Sequence, residues 1–170
     1  MPANTIEPKE ILAELSAAFP ARKLDPAGAM GDAAVTYLDF PSFEAGSRGR
    51  SWGSLGWEFL KLHHDAIGFL TPTGLAAYLP AFLAAAIKHH EEVDVLPVFV
   101  AGGLTRRPDE PEELARFDEL LALLDDRQQK AIAAALEGLE ALSENPFANA
   151  PEKQALDSYW RKLLPKKNRK

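Results

Sequence analysis

Between Phe69 and Leu83 the chain reads Phe-Leu-Thr-Pro-Thr-Gly-Leu-Ala-Ala-Tyr-Leu-Pro-Ala-Phe-Leu, and few folds can accommodate that stretch. Thr71 before Pro72 marks a helix start: a hydroxyl to cap the first amides, then a residue whose ring fixes the helical φ. Leu75, Tyr78, Leu79, Phe82 and Ala86 follow at the 3,4-spacing of an apolar helical face. Pro80 interrupts that helix from within, because it has no amide to bond back to the Ala76 carbonyl. A strongly apolar helix with a built-in interruption must be enclosed by other helices. It constrains architecture far more than chemistry, since its one reactive group is a phenol.

Helical patterns extend to both sides. Residues 7–19 carry Ile11, Leu12, Leu15, Ala18 and Phe19 on one face, with Pro8 in the first turn and Pro20 as a stop. Residues 54–67, capped by Ser51 or Ser54 and closed by Gly68, pair with the central helix to predict a helical hairpin over 54–88. Residues 110–124 carry Leu114, Phe117, Leu120, Leu121 and Leu124. Asp125-Asp-Arg-Gln128 then reads as a capping box opening a helix through Leu142. Asn149 and Pro151 start a last helix bearing Leu156, Tyr159, Trp160, Leu163 and Leu164, which Pro165 ends. Residues 21–33 read as loop and residues 44–50 as an exposed glycine-containing loop.

Two segments favour extended structure. Ala34–Phe40 and Val93–Val100 are rich in β-branched and aromatic residues, and could pair as a small two-stranded element with Pro97 holding one strand at an edge. The expectation is a mainly α single domain over 1–165, of about five helices around a Pro-kinked hairpin, with a basic, frayed tail over 166–170.

With 170 residues and 46% apolar content, the chain is large enough for one real core. No run approaches the ~18 apolar residues of a membrane span, and the N-terminus shows no secretory pattern, so a cytoplasmic location is expected. The absence of cysteine excludes disulfides, thiolate catalysis and cysteine-ligated metals. A formal charge of −6 argues against broad nucleic-acid backbone binding. The charge is uneven: Asp109, Glu110, Glu112, Glu113, Asp118, Glu119, Asp125 and Asp126 face a single Arg116 within 108–126, while Arg161, Lys162, Lys166, Lys167, Arg169 and Lys170 crowd the end. The acidic run reads as a solvated helix face, or as a patch that steers a basic partner.

Motifs for chemistry are sparse. The glycines of 44–50 match neither phosphate-binding glycine pattern, and no nucleophile elbow or S-x-x-K is present. No cofactor is expected. The histidines fall in two pairs, His63-His64 and His89-His90. In an antiparallel hairpin these pairs lie at opposite ends, about 25 Å apart at 1.5 Å per residue. Adjacent helical positions point apart, so neither pair chelates one metal. His90 with Asp94 is the one ligand-type pair at i,i+4; His89, His90 and Asp94 are therefore the metal candidates. Glu58, Asp65 and Glu91 are carboxylates available for hydrolysis, yet Lys61 is spaced to pair with Glu58 and Asp65. Trp52, Tyr78 and Trp160 form the best aromatic pocket the sequence can suggest.

Five spaced elements together resemble an uncharacterised bacterial domain family: Trp52-x-x-Leu55, Phe69-Leu-Thr-Pro72, Tyr78-Leu-Pro-Ala81, Leu124 with Gln128, and Tyr159-Trp160. The resemblance covers about residues 50–162. That family has no assigned activity, so the resemblance implies a fold and names no catalytic residue.

These readings favour a non-catalytic protein-binding module without membrane or nucleic-acid partners. Glu112, Glu113, Asp118 and Glu119 would meet a basic protein, as an immunity protein meets a toxin. The alternatives are a metal-binding protein or hydrolase using histidines and carboxylates at a helix end, and an oligomeric scaffold.

Overall fold

The computed structural model describes residues 6–143, 147 and 149–166. Nine α-helices are found among them: α1 Pro8–Ala18, α2 Pro26–Met30, α3 Phe40–Ser47, α4 Trp57–Leu62, α5 Pro72–Lys88, α6 Leu96–Gly103, α7 Pro111–Leu123, α8 Asp126–Leu142 and α9 Pro151–Ser158. Short 3-10 helices cover Gly31–Val35, Trp52–Ser54, His64–Phe69 and Trp160–Leu163.

Prolines set this segmentation. Seven of the nine α-helices (α1, α2, α3, α5, α6, α7 and α9) carry a proline in their first two positions. There the missing amide costs nothing, because first-turn amides have no intrahelical carbonyl to bond. Pro80 is the exception, lying inside α5 and buried there.

The small β element is absent among the described residues. Gly31–Val35 is a 3-10 helix and Phe40 opens α3, while Leu96–Gly103 is α6. Pro97 is therefore a helix opener and not an edge-strand proline. Burial of Leu96, Val100 and Ala101 on one side outweighs the modest strand preference of the valines. The five expected helices become nine because short helices, α2, α3 and α6 among them, form behind prolines in segments whose composition suggested loop or strand.

The predicted hairpin is also more broken than its spacing suggests. Gly56, not a serine, caps α4; the helix ends at His63, and the chain continues as the His64–Phe69 3-10 helix. The last helix breaks at Tyr159, whose φ of −157° and ψ of −47° leave the helical region before the Trp160–Leu163 3-10 turn begins. Ala150, not Asn149, occupies its cap position. The remaining start signals hold. Thr71 accepts the Gly74 amide at 3.1 Å. At the start of α8, Asp125 accepts the Gln128 amide at 2.8 Å, and the Gln128 side chain accepts the Asp125 amide at 3.0 Å.

α5 is the hub, packed against α1, α2, α4, α6, α7 and α8. Leu75, Tyr78, Leu79, Phe82, Leu83, Ala86 and Ile87 are all buried on it, so its apolar residues meet neighbours nearly all round. Gly74 lets α5 approach α2 closely. A β-carbon at Gly74 would sit 2.1 Å from the Ala29 carbonyl oxygen, and that oxygen also accepts the Thr71 amide at 2.9 Å and the Thr71 hydroxyl at 3.0 Å. Trp160 closes the far side of the core. It is fully buried, its indole donates to the Leu104 carbonyl at 2.8 Å, and its ring meets Phe117 and Tyr159 edge-on.

Candidate functional site

Two features could serve a function: a hydrogen-bonded cluster around His63, and an open apolar face with a cleft beside it.

The break between α4 and the following 3-10 helix places His63 in the interior, 1% exposed. Phe59 and Phe43 flank its ring, with centroids 4.7 and 5.5 Å away. Both nitrogens are satisfied: Nδ1 lies 3.0 Å from the Tyr37 hydroxyl and Nε2 3.0 Å from the Ser42 hydroxyl. Tyr37 in turn donates to Asp65 Oδ1 at 2.9 Å. That last bond orients the others. A phenol whose proton goes to a carboxylate can only accept from Nδ1–H, so Nε2 carries the lone pair and accepts the Ser42 proton. Burial holds the His63 pKa below its ordinary value, opposed by the carboxylates of Asp39 and Asp65. Burial, and then the bond to Asp65, push the Tyr37 phenol upward, which keeps it protonated as the donor.

Neighbouring elements hold the cluster. The Phe40 amide bonds the Tyr37 carbonyl at 3.0 Å as α3 begins, which sets Tyr37 before the helix and Ser42 in its first turn. The Tyr37 ring lies tilted against Phe69, with centroids 4.8 Å apart. One layer deeper, the Ser47 hydroxyl donates to the Phe43 carbonyl at 2.8 Å and so accepts from the buried Tyr78 phenol at 2.8 Å. Burial pushes that phenol up to about 12.

The open face runs from α4 to α6. Leu62 is 67% exposed, Val95 40%, Val98 45% and Phe99 39%. His64 meets Phe99 edge-on at 4.5 Å and lines a cleft with Leu62 and Val95, so these side chains are continuous. Beside them opens a cleft of about 390 Å³ between α6 and α7. Its floor is Ile67, Leu75, Phe117 and Leu120, with Val98 and Phe99 along one edge and Glu113 and Arg116 along the other. Arg116 donates to the Leu70 carbonyl at 2.7 Å and pairs with Glu113 at 3.5 Å; Arg107, at the same mouth, donates to the Gly102 carbonyl at 3.1 Å. Both arginines are thus occupied by the protein itself.

The residues singled out from the sequence fall as follows. Glu112, Asp118 and Glu119 are exposed on α7, while Glu113 is half-buried in the cleft wall. Glu112 and Glu119 lie four before and three after Arg116, so they share its helical stripe. Trp52, Tyr78 and Trp160 do not share a pocket. Tyr78 and Trp160 are fully buried in separate aromatic clusters, and Trp52 donates to the Phe19 carbonyl at 3.1 Å beside a different cleft lined by Ala77 and Pro80. Among the described residues no group of three or more histidines and carboxylates is gathered to hold a metal. His89 stacks on Trp57 at 5.4 Å and lies 3.9 Å from Glu92. Asp94 stands in a left-handed turn with φ of 54°. Asp65 accepts from Tyr37, a partner the spacing of Lys61 did not suggest. Of the basic residues before the expected tail, Arg161 pairs with Asp157 and Glu140, and Lys162 sits 4.0 Å over the Tyr159 ring; of the tail itself, residues 167–170 lie outside the described residues.

Tyr37 and Ser42 escaped sequence reasoning. Their segment resembled a strand up to Phe40, although Pro41 after Asp39-Phe40 offered a proline for a helix's first turn, without the side-chain cap that Thr71 supplies.

Among the described residues no helix is long and apolar enough to cross a membrane. No curated protein and no solved structure matches the chain. A family profile does match, over residues 9–164, and the chain belongs to that family of unknown function, DUF6714.

Proposed function

We propose that the protein is a protein-binding module whose docking face is non-catalytic and takes a basic, amphipathic segment of its partner, in the manner of an immunity protein. The observation that carries this reading is the adjacency of an apolar face running from α4 to α6 and a cleft walled by α7. Leu62, Val95, Val98 and Phe99 leave apolar surface open beside an apolar cleft, and Glu112 and Glu119 are exposed on the helical stripe of Arg116, which lines its far wall. Contiguous exposed apolar side chains mark interaction surfaces more often than single ones do. An apolar anchor seated in the cleft would place flanking lysines or arginines against the acidic ridge, where opposite charge speeds encounter and fixes register.

The reading is tested with a partner recovered by co-expression screening against basic proteins. Phe99→Ala should weaken that complex about 30-fold, as loss of an anchoring aromatic does. Joint reversal of Glu112, Asp118 and Glu119 to lysine should slow association and abolish its salt dependence. A complex indifferent to both changes sinks the reading. The same apolar face also suits a second copy of the chain, as in an oligomeric scaffold. Sedimentation showing a dimer that Phe99→Ala dissociates would favour that alternative.

A further inference from the structure

The hydrogen-bond chain through His63 has one exposed end, and that end is a serine. Asp65, Tyr37 and His63 are set in one proton order: Asp65 accepts from Tyr37 at 2.9 Å, Tyr37 from Nδ1 at 3.0 Å, and Nε2 from Ser42 at 3.0 Å. His63 is sealed from water while the Ser42 side chain, two residues into α3, stands at the surface. A buried histidine serving structure alone needs partners for both nitrogens, and a water or a carbonyl would do. Here the partner of Nε2 is a solvent-facing hydroxyl, and the partner of Nδ1 is backed by a carboxylate. This is the logic of an activated nucleophile: a neutral base on the hydroxyl, and behind it a group that fixes the tautomer and steadies the cation formed.

We propose that Ser42 is a nucleophilic hydroxyl, with His63 as its general base, and that it accepts acyl groups from uncharged carboxylic esters. As Ser42 Oγ bonds to the ester carbonyl carbon, its proton passes to Nε2. The same proton then goes to the departing alcohol oxygen as the acyl carbon–oxygen bond breaks. Water repeats the sequence, giving its proton to Nε2 and returning the serine with release of the carboxylic acid. Tyr37 and Asp65 are positioning residues, since they touch neither the ester nor the moving proton. The Ser42 amide precedes the first rung of α3, from the Phe43 amide to the Asp39 carbonyl at 3.0 Å, and is free to meet the developing oxyanion. The substrate class follows from the surroundings. Asp39 is close enough to act electrostatically on His63 and disfavours an anionic acyl group, while Val35 and Leu38, 90% and 93% exposed in the same segment, offer apolar contact.

This site is independent of the docking face, so either reading can fail without the other. The test is labelling with a fluorophosphonate, which forms a serine–phosphorus bond and expels fluoride, followed by peptide mass mapping. Ser54 is the internal control, an exposed serine whose hydroxyl donates to the Ser51 carbonyl at 2.8 Å. Ser42 should label at least tenfold faster than Ser54, and His63→Gln should abolish that advantage. The labelling rate should rise with pH through a midpoint below that of free histidine, and Tyr37→Phe should shift the midpoint and slow the reaction severalfold. Hydrolysis of p-nitrophenyl acetate should fall in Ser42→Ala, a comparison that cancels turnover by stray imidazoles. Labelling of Ser42 no faster than Ser54 overturns the proposal, as does equal ester hydrolysis by wild type and Ser42→Ala. If circular dichroism shows His63→Gln unfolded, Tyr37→Phe decides: a rate and midpoint unchanged from wild type also overturn it.

Discussion

His63 shows how one residue can make stability depend on pH. In the folded chain burial keeps its imidazole less basic than in the unfolded chain, where its pKa is about 6.5. Above that value both states hold it neutral, and its contribution to stability is complete. As pH falls below about 6.5 the unfolded chain takes up a proton first, so stability declines until the folded imidazole also titrates. Urea midpoints should therefore drop between pH 7.5 and 5.5 in the wild type. In His63→Gln, part of that slope should vanish, and the gap between the two proteins should narrow toward low pH. A parallel decline in both proteins would assign the pH effect to other groups.

At the scale of elements, the α2–α5 contact leaves no room for a β-carbon at Gly74 and yields the sharpest mutational expectation. The group facing Gly74 is the Ala29 backbone carbonyl, already bonded to Thr71, so it cannot swing aside as a side chain would. Gly74→Ala should cost about 3 kcal/mol, the upper end for overpacking, despite the gain in helix propensity. Equilibrium denaturation of the variant checks it, and a neutral or stabilised protein would mean that the two helices separate easily. This scale also shows what the sequence could and could not tell. Thr71-Pro72 and Asp125–Gln128 were legible because a cap is a local signal spanning four residues. Pro97 was misread because the valines around it report strand preference, whereas burial of Leu96, Val100 and Ala101 against distant elements decides the matter. The His63 cluster was illegible for the same reason. Tyr37 and Ser42 lie 26 and 21 residues from their histidine, and no spacing rule connects them.

For the molecule as a whole, the acidic balance of the sequence resolves into a defined layout. Glu112, Asp118 and Glu119 of α7 remain exposed, whereas Asp157 is tied down by Lys153 and Arg161, which hold its carboxyl below the usual range. Arg161 thus stitches α8 to α9 through Glu140 and Asp157. The enclosure of α5 has a consequence for how the molecule opens. A helix bordered by six others cannot be uncovered by the loss of any one of them, so its amides have no local route to solvent. Native-state hydrogen exchange should find the Phe82–Ile87 amides exchanging at the global unfolding free energy, while those of α2, α4 and α9 exchange through smaller openings. Exchange from α5 at a lower free energy than from α8 would contradict this order. If it holds, the helix that carries Pro80 within it is the part of the chain that lets go last.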